Sequence, residues 1–268
     1  MALYSLSTKR KNMQLIDTHA HVHFDNYKLD ADEVLKEAKN ASITDILAVS
    51  CDIPTSQKSL EFAEARENVW AAVGVHPHEA EKFWQEKQED NLRKLALNSS
   101  KKLVAIGECG LDYYYQHSPK AAQAKLLELH LQLAQERSLP VIFHVRDAHE
   151  DFWPIFDNFS GIRGVMHSFS ATQKELEAAL KRDLYVGLNG IMTFTRDAGQ
   201  LEAAKLVPKE KLVLETDAPY LTPAPFRGNI CKPEHVKVTA EFLANLREEE
   251  VEELAAYTTR NARQLFSL

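Results

Sequence analysis

Short apolar runs alternate along the chain with longer stretches in which apolar and charged residues recur at helical spacing. A short apolar run predicts a buried strand, whereas apolar positions three and four residues apart predict a helix. In Lys120–Arg137, for example, Leu126, Leu129 and Leu133 fall on one helical face. The pattern predicts eight strands, at Met13–Asp17, Thr44–Ser50, Val69–Val75, Leu103–Glu108, Pro140–His144, Arg163–His167, Asp183–Asn189 and Lys211–Asp217.

A helical stretch follows each predicted strand. The predicted helices are Asp30–Asn40, Thr55–Glu67, a long region at Glu79–Asn98, Lys120–Arg137, Ala148–Asn158, Thr172–Arg182, Gly199–Val207 and Pro233–Leu246, with a last pair of helical turns. Strands that alternate with helices imply parallel pairing through right-handed crossovers. The strands are apolar almost throughout, as expected when both of their faces are covered. Eight such units in 268 residues predict a closed (β/α)8 TIM barrel.

The chain is predicted to form one domain over residues 13–268, because no repeat, low-complexity tract or linker interrupts the series. Residues 1–12, MALYSLSTKRKN, are polar and lack the apolar core of a secretory signal, so we predict a flexible extension. No apolar run approaches the length of a membrane span. We therefore expect a cytoplasmic protein without membrane contact, and nothing in the sequence requires more than a monomer.

Charge and cysteine content exclude several kinds of function. With 32 basic and 39 acidic residues, the net charge of -7 argues against the broadly basic face that binds along a long duplex. A local basic rim around a site is still compatible with that charge. The three cysteines, Cys51, Cys109 and Cys231, are widely spaced and form no CxxC pair. This spacing indicates reduced thiols rather than a disulfide framework or a zinc knuckle.

Metal-binding residue types follow six of the eight predicted strands. Catalytic residues of (β/α)8 barrels project from the carboxyl ends of the strands. The six strand ends read DTHAHVH, GVHPH, GECGLD, FHVRDA, MHSFS and ETDAPY. They hold seven of the 11 histidines in the chain, namely His19, His21, His23, His76, His78, His144 and His167. This clustering predicts a metal centre at the mouth of the barrel.

The spacing and chemistry of these residues favour metal binding. Residues two apart in an extended segment project to the same side, so His19 and His21 could bind one ion together. Glu108 and Asp217 each end an apolar strand, where a carboxylate is costly to bury unless it is paired or bound to metal. We predict two divalent ions bridged by Glu108, with His19, His21 and Asp217 on the first ion and His144 and His167 on the second.

Two such ions would suit hydrolysis of a phosphodiester. Cations roughly 3.5–4 Å apart can hold the attacking and leaving oxygens and lower the pKa of a bound water. Asp217 could accept the proton of that water while it binds its ion. Mixed imidazole and carboxylate ligands suit Zn, Mn or Mg, and the sequence does not choose among them.

The motifs around these residues occur in an order that matches a known protein family. In chain order they are DTHAH, GVHPH, IGECGLDYY, PVIFHVRDA, MHSFS, LETDAPYL, FRG and TTRNARQLF. The ordered set, from Met13 to Phe266, resembles the TatD-type metal-dependent deoxyribonucleases. The resemblance implies an amidohydrolase-like TIM barrel and a divalent-metal-dependent nuclease that removes nucleotides from the 3′ ends of single-stranded DNA.

The resemblance also assigns roles to individual residues. The family's metal ligands fall on the same six residues that the strand ends select, and the GxHPH histidine falls on His76, which implies a place near the scissile phosphate. Glu108, Asp217 and His76 are therefore the catalytic candidates. One segment departs from the family, because Cys231-Lys232-Pro233 stands where Asn-Glu-Pro is usual. This segment lines the rim in the family, so the family's substrate contacts are not carried over to it.

Substrate contacts beyond His76 are predicted from residue type. Arg146, two residues after His144, could bind phosphate through its forked donors or form an ion pair with a loop. Arg227 has the same two interpretations. Tyr113 and the two tyrosines that follow it could stack on unpaired bases, with at least one of the three packed beneath the loop.

Two rival functions stay open at this stage. Amidohydrolases and phosphotriesterase relatives also begin with HxH and end with Asp, but many bridge their metals with a carboxylated lysine where this chain has Glu108. A panel of lactones, cyclic amides and oligonucleotides would separate these enzymes from a nuclease. The other rival is a catalytically silent barrel that binds a partner, which an empty metal site and inactivity under every divalent ion would support.

Overall fold

The computed structural model describes residues 13–268, so the predicted extension at 1–12 lies outside the described residues. Eight strands form one parallel sheet in which each strand pairs with the next along the chain. The strands are β1 Leu15–Ala20, β2 Ile43–Val49, β3 Val69–Val73, β4 Leu103–Asp112, β5 Val141–Arg146, β6 Gly164–Met166, β7 Tyr185–Leu188 and β8 Leu212–Leu214. All eight predicted strands and the (β/α)8 barrel are confirmed.

Helices cover the outside of the barrel. They are α1 Ala31–Asn40, α2 Ile53–Glu64, α3 Ala80–Gln85, α4 Glu89–Ala96, α5 Lys120–Arg137, α6 His149–Phe156, α7 Gln173–Leu180, α8 Ala198–Leu206, α9 Val236–Leu246 and α10 Val251–Phe266. Short 3₁₀ turns occur at Pro77–Glu79, Gly190–Thr193 and Pro233–His235. Among residues 13–268, no helix combines the length and apolar character needed to cross a bilayer.

Two helical predictions were wrong in extent. The long helix predicted at Glu79–Asn98 is divided into α3 and α4, because the polar residues Glu86–Gln88 have no apolar side chain to bury and Lys87 adopts a left-handed φ of 55°. The final two turns are in fact the 16-residue helix α10. Its length follows from a tertiary role, since it spans the amino end of the barrel.

Along β5 and β6 the inward-facing positions change from apolar to polar. A cluster of buried apolar residues drawn from all eight strands fills the barrel interior, and Ile142 of β5 and Val165 of β6 belong to it. Side chains alternate across a strand, so the inward positions two residues later are His144 and His167. The period of two residues therefore places these imidazoles inside the carboxyl-end mouth, above the apolar interior.

Helix α10 closes the amino end of the barrel. Phe266 packs into the interior cluster. The Thr259 hydroxyl donates to the carbonyl oxygen of Gln14 at 2.7 Å, just before β1, and Asn261 Nδ2 donates to that of Leu212 in β8 at 2.8 Å. The first and last strands are thus held together at this end by side chains of one helix.

The carboxyl ends of β1 and β8 are joined by the segment that carries the candidate ligands. The Asp217 amide donates to the carbonyl oxygen of His19 at 2.8 Å. The buried Asp17 carboxylate accepts the Thr216 amide at 2.9 Å and the Thr216 hydroxyl at 2.6 Å. These bonds fix two distant parts of the chain side by side before any ligand is considered.

Candidate metal centre

Glu108, in the middle of β4, lies between two groups of imidazoles. Its Oε2 is 3.2 Å from His19 Nε2 and 3.9 Å from His21 Nε2. Its Oε1 is 2.9 Å from His144 Nδ1 and 3.6 Å from His167 Nε2. One buried carboxylate therefore faces the two groups through different oxygens.

The first group contains His19, His21 and Asp217. His21 Nε2 lies 3.2 Å from both His19 Nε2 and Asp217 Oδ1, and His19 Nε2 is 3.7 Å from Asp217 Oδ1. All three donor atoms lie within 4.8 Å of one another, as ligands of one ion must. Asp217 adopts a left-handed φ of 62°, a conformation that surrounding contacts must hold and that recurs at functional sites.

The second group differs in detail from the predicted pairing of His144 with His167. Both approach Glu108 Oε1, but their ring centroids are 6.3 Å apart. The donor atoms of His144 and Glu108 form a compact group with His76, whose Nε2 is 3.6 Å from Glu108 Oε1. His167 instead stacks on His19 with centroids 3.6 Å apart, and it forms a compact group with His19 and Glu108.

Three of the four candidate imidazole ligands are oriented by a contact on the far side of the ring, whereas His19 Nδ1 has no hydrogen-bond partner among the described residues. His21 turns Nδ1 to the carbonyl oxygen of the last residue in β2, at 2.7 Å. His144 Nε2 lies 2.8 Å from Asp112 Oδ2, and His167 Nδ1 lies 3.0 Å from Glu215 Oε1. Such outer contacts set the tautomer and ring orientation of metal-binding histidines. The nitrogens left to face Glu108 are those that a metal would use.

Sequence reasoning missed the orienting roles of Asp112 and Glu215. Both are almost fully buried, and both lie in strand-end motifs whose neighbouring residues were selected. The Glu215 side chain has room because residue 187 is a glycine. A Cβ at Gly187 would lie only 2.4 Å from Glu215 Oε2. The position of Glu215 in the sequence could have indicated its role, because it follows β8 at the inward phase and lies two residues before Asp217. A buried strand-end carboxylate should have been considered as a histidine partner as well as a ligand.

The charges within the centre balance one another. Burial disfavours ionisation of Glu108, but the imidazoles of His167 and His19 outweigh it and hold the pKa of Glu108 well below its usual value. Burial also opposes protonation of His167, but Glu215 and Glu108 outweigh it and raise the pKa of His167 to about 10. Glu108 is thus kept anionic, as metal ligation requires, and metal binding at such a site releases protons.

The arrangement fits divalent metal ions. Imidazole nitrogens and carboxylate oxygens converge in compact groups, and the ligand side chains are mostly buried. Isolated buried carboxylates would be unfavourable, and cations at these groups would compensate them. This mixture of nitrogen and oxygen donors is compatible with Zn, Mn or Mg.

Arg146 and Tyr113 line a cleft of about 500 Å³ next to His167. Tyr113 is half-buried with Lys120 Nζ 3.8 Å above its ring, and burial together with Asp151 raises the pKa of its hydroxyl to about 12. Arg146 is exposed at the mouth. The structure therefore places both predicted substrate contacts beside the candidate centre, with Tyr113 as the packed tyrosine of its group.

Arg227 and Lys232 are both engaged in contacts within the protein. Arg227 stacks on the Phe194 ring at 3.9 Å and donates to the carbonyl oxygen of Thr222 at 3.0 Å, which holds its own loop. In the segment that departs from the family, Lys232 Nζ pairs with Glu37 of α1 at 2.7 Å. Lys232 is therefore tied to the barrel's outer helices in this structure.

The three cysteines are free thiols, as predicted. Cys51 lies beside the centre, where its sulfur forms a compact donor group with His21 and Glu108. Burial raises the pKa of the Cys51 thiol well above its usual value. Cys109 is fully buried and packs in the core between strands and helices.

The sequence matches known proteins over nearly its whole length. The family described as TatD related DNase matches residues 16–267. The "Uncharacterized metal-dependent hydrolase YabD" of Bacillus subtilis (strain 168) is 38% identical over 256 residues, covering 95% of this chain and 99% of that relative. A Salmonella typhimurium protein named "3'-5' ssDNA/RNA exonuclease TatD" is 34% identical over 265 residues, covering 95% and 99%.

Solved structures share the architecture. The crystal structure of YjjV, a TatD homolog from Escherichia coli K12, aligns with a TM-score of 0.90 at 28% identity and covers 96% of this chain and 100% of that one. The phosphotriesterase homology protein from Escherichia coli, at 12% identity and a TM-score of 0.66, covers 96% and 99% and shows the barrel fold alone. The chain belongs to the TatD family of metal-dependent hydrolases.

Proposed function

We propose that this chain is a two-metal deoxyribonuclease that hydrolyses phosphodiesters from the 3′ ends of single-stranded DNA. The observation that carries the proposal is the placement of Glu108, whose two oxygens face separate groups of imidazoles at 3.2 Å and 2.9 Å. A carboxylate in this position can bridge two divalent ions. The activity in the name of the Salmonella relative, at 34% identity, supports the substrate class and direction.

The residues of the first group would activate the attacking water. When bound, two divalent ions would lower the pKa of that water and stabilise charge on the phosphate oxygens. Asp217 would accept the proton, because its carboxylate lies at the mouth and its Oδ1 is 3.2 Å from His21 Nε2. The neighbouring imidazoles hold the pKa of Asp217 below its usual value despite burial, so the carboxylate is ionised before the proton arrives.

His76 would bind the scissile phosphate rather than a metal. Its Nδ1 accepts the backbone amide of His78 at 3.1 Å, so the proton of the neutral ring lies on Nε2. Nε2 is the nitrogen that faces Glu108 Oε1, at 3.6 Å. A donor held at this point is suited to a phosphate oxygen, and its tautomer makes Nε2 a poor metal ligand.

The adjoining cleft would receive the nucleic acid strand. Arg146, Lys120 and Lys174 line its wall and could contact phosphates, while His167 lies at its inner edge. The same cleft is also lined by four carboxylates, among them Asp147 and Glu175, so these cations offer individual phosphate contacts in a chain whose net charge is -7. A few individual phosphate contacts suit a strand end, whereas a long duplex requires a broad basic face.

The test is metal reconstitution of purified protein with a single-stranded oligonucleotide labelled at its 5′ end. After chelation, Mg, Mn and Zn are restored separately, and the same assay is run on RNA, a blunt duplex, lactones and cyclic amides. We expect no turnover in the chelated protein. Restored metal should produce a ladder of products shortened from the 3′ end, with single strands preferred.

Other outcomes would overturn the proposal in distinct ways. Turnover of lactones or amides without oligonucleotide cleavage would support the amidohydrolase and phosphotriesterase alternative. Internal cuts without a 3′ ladder would remove the exonuclease assignment. Absence of bound metal by elemental analysis, together with inactivity under every ion, would support a partner-binding barrel.

A further inference from the structure

We infer that the loop after β4 is a stacking site for the unpaired bases of the substrate strand. The site comprises Tyr114, Tyr115 and His117, here called the aromatic platform. The inference rests on the proposed function, because it assumes that a single-stranded nucleic acid approaches the centre. It extends that function by naming the residues that hold the bases rather than the phosphates.

The platform exposes unusual amounts of aromatic surface. Tyr114 is 56% exposed and Tyr115 is 43% exposed, which places both among the most exposed large apolar side chains in residues 13–268. Their ring centroids are 4.7 Å apart in an edge-to-face arrangement. The exposed His117 ring lies parallel to Tyr115 at 5.5 Å. Flat exposed rings of this kind bind bases of any sequence, because every base presents a π-face.

Arg146 adds a positive charge to the platform. Its guanidinium carbon lies 3.8 Å from the centroid of the Tyr114 ring and 5.0 Å from that of Tyr115. Within the described chain, Arg146 forms no ion pair with a carboxylate, so the loop ion pair considered from the sequence is not formed. The guanidinium edge is therefore free to bind a phosphate while its face contacts the tyrosines.

The platform is held rigid by buried side chains. Asp112 Oδ1 accepts the backbone amides of both Tyr114 and Tyr115 at 3.0 Å. Gln123 of α5 donates to the carbonyl oxygens of Asp112 at 3.1 Å and Ser118 at 2.9 Å, closing the loop from the other side. A surface that is already ordered loses little conformational entropy when a ligand binds.

The same carboxylate connects the platform to the centre. Asp112 Oδ2 lies 2.8 Å from His144 Nε2 and 3.0 Å from His78 Nε2. The His78 ring is in turn 5.5 Å from that of Tyr115 and 4.2 Å from that of His76. The platform is thus separated from the proposed phosphate donor by one imidazole, a spacing suited to a base attached close to the scissile bond.

An unpaired nucleobase fits these features better than a protein partner does. The exposed rings adjoin the cleft that contains Arg146, Lys120 and the metal-ligand candidate His167. A strand whose phosphates follow that cleft would bring its bases to the platform. Bases in a duplex have their faces covered by their neighbours, so the same geometry would favour single strands over duplexes.

The test compares Tyr114→Ala and Tyr115→Ala with the conservative variants Tyr114→Phe and Tyr115→Phe. Binding of a fluorescent single-stranded oligonucleotide is measured by anisotropy in the chelated protein, and KM and kcat are measured with metal. A matched oligonucleotide lacks bases at its three terminal positions. Leu97→Ala, another exposed side chain at 47%, is the remote control.

We expect each alanine variant to raise Kd and KM for the ordinary strand about tenfold, equivalent to about 1.4 kcal/mol, with smaller changes in kcat. The phenylalanine variants and Leu97→Ala should resemble the wild type. Removing the bases should abolish the difference between wild type and alanine variants.

Two results would show that the aromatic platform does not bind bases, without contradicting the proposed nuclease activity. One is hydrolysis with unchanged KM in both alanine variants, and the other is an equal loss on the abasic strand, which would indicate a structural effect. Oligonucleotide binding that depends on the platform, without any hydrolysis, would instead contradict the proposed function alone. Failure of the wild type to bind any oligonucleotide would overturn both, and would favour a protein or small-molecule ligand.

Discussion

The two ends of the barrel are filled by side chains of opposite character. At the amino end, apolar residues of all eight strands pack under α10, with Phe266 among the largest fully buried side chains. At the carboxyl end, the inward-facing positions carry imidazoles and carboxylates within a few ångströms of one another. The amino end, closed by α10, is therefore stabilised by apolar packing. The carboxyl end, which is open, brings ionisable side chains together.

This difference separates the origin of stability from the origin of function. Apolar burial at the closed end stabilises the fold in proportion to the area removed from water. The open end instead buries Glu108, Asp217 and their neighbours, a grouping that becomes favourable only through mutual pairing or a bound cation. Mutations at the two ends should therefore have separable consequences, one for unfolding and one for catalysis.

The largest effect is expected from Glu108→Ala at the open end. Removing the carboxylate that faces both donor groups should reduce hydrolysis more than 1,000-fold, on the order of 4 kcal/mol of transition-state stabilisation, and lower the metal content. The circular dichroism spectrum should be retained. Glu202→Ala, an exposed glutamate on α8, is the matched control and should keep full activity. Hydrolysis by Glu108→Ala at the wild-type rate would remove Glu108 from the centre.

Phe266→Ala tests the closed end. Truncating a fully buried phenylalanine should lower the free energy of unfolding by about 3–5 kcal/mol, since it removes apolar contacts and leaves a cavity. The kcat of the folded enzyme, measured well below its unfolding transition, should not change. Urea denaturation of the metal-free protein measures the loss, and Leu206→Ala, 44% exposed, is the control. A large fall in kcat at unchanged stability would show that the two ends are not separable.

The smallest effect concerns a buried histidine that supports the open end. His130 of α5 accepts the backbone amide of Val75 at 3.0 Å, just before His76, and burial lowers the pKa of His130 to about 4. The unfolded chain, with a pKa near 6.5, binds this proton more readily, so stability is complete above pH 6.5 and falls as the pH decreases towards 4. Between pH 7 and pH 5 this group should remove about 2 kcal/mol.

His130→Gln supplies the comparison, because its amide oxygen can still accept the Val75 amide but does not titrate. The free energy of unfolding of wild type and variant is measured in urea at both pH values. The decrease on acidification should be about 2 kcal/mol smaller in the variant. Equal decreases would show that His130 does not determine the acid sensitivity of the fold.

The strands and the candidate ligands could be predicted because their signals are local. Each strand is a short apolar run, and each ligand type follows one at the position where barrels place their catalytic groups. His19 and His21 illustrate the point, since a spacing of two residues directs both to one side of the chain. The structure brings these two and the other four predicted ligands to the same mouth.

Other features depended on contacts that no local pattern encodes. The length of α10 depends on the strands against which this helix packs. The roles of Asp112 and Glu215 likewise became visible only when His144 and His167 were found beside them. A carboxylate after a strand has the same local signature whether it binds a metal or orients a histidine.

The sequence by itself determined the barrel, the inward phase of its strands and the residue types at its mouth, because periodicity and strand order act over short distances along the chain. Only the tertiary structure decided which donor atoms share a group and which tyrosines remain exposed. Those properties arise when residues far apart in the chain, such as His19 and Asp217, are joined by closure of the barrel. They depend on distances between elements, which hydrophobic patterning does not specify.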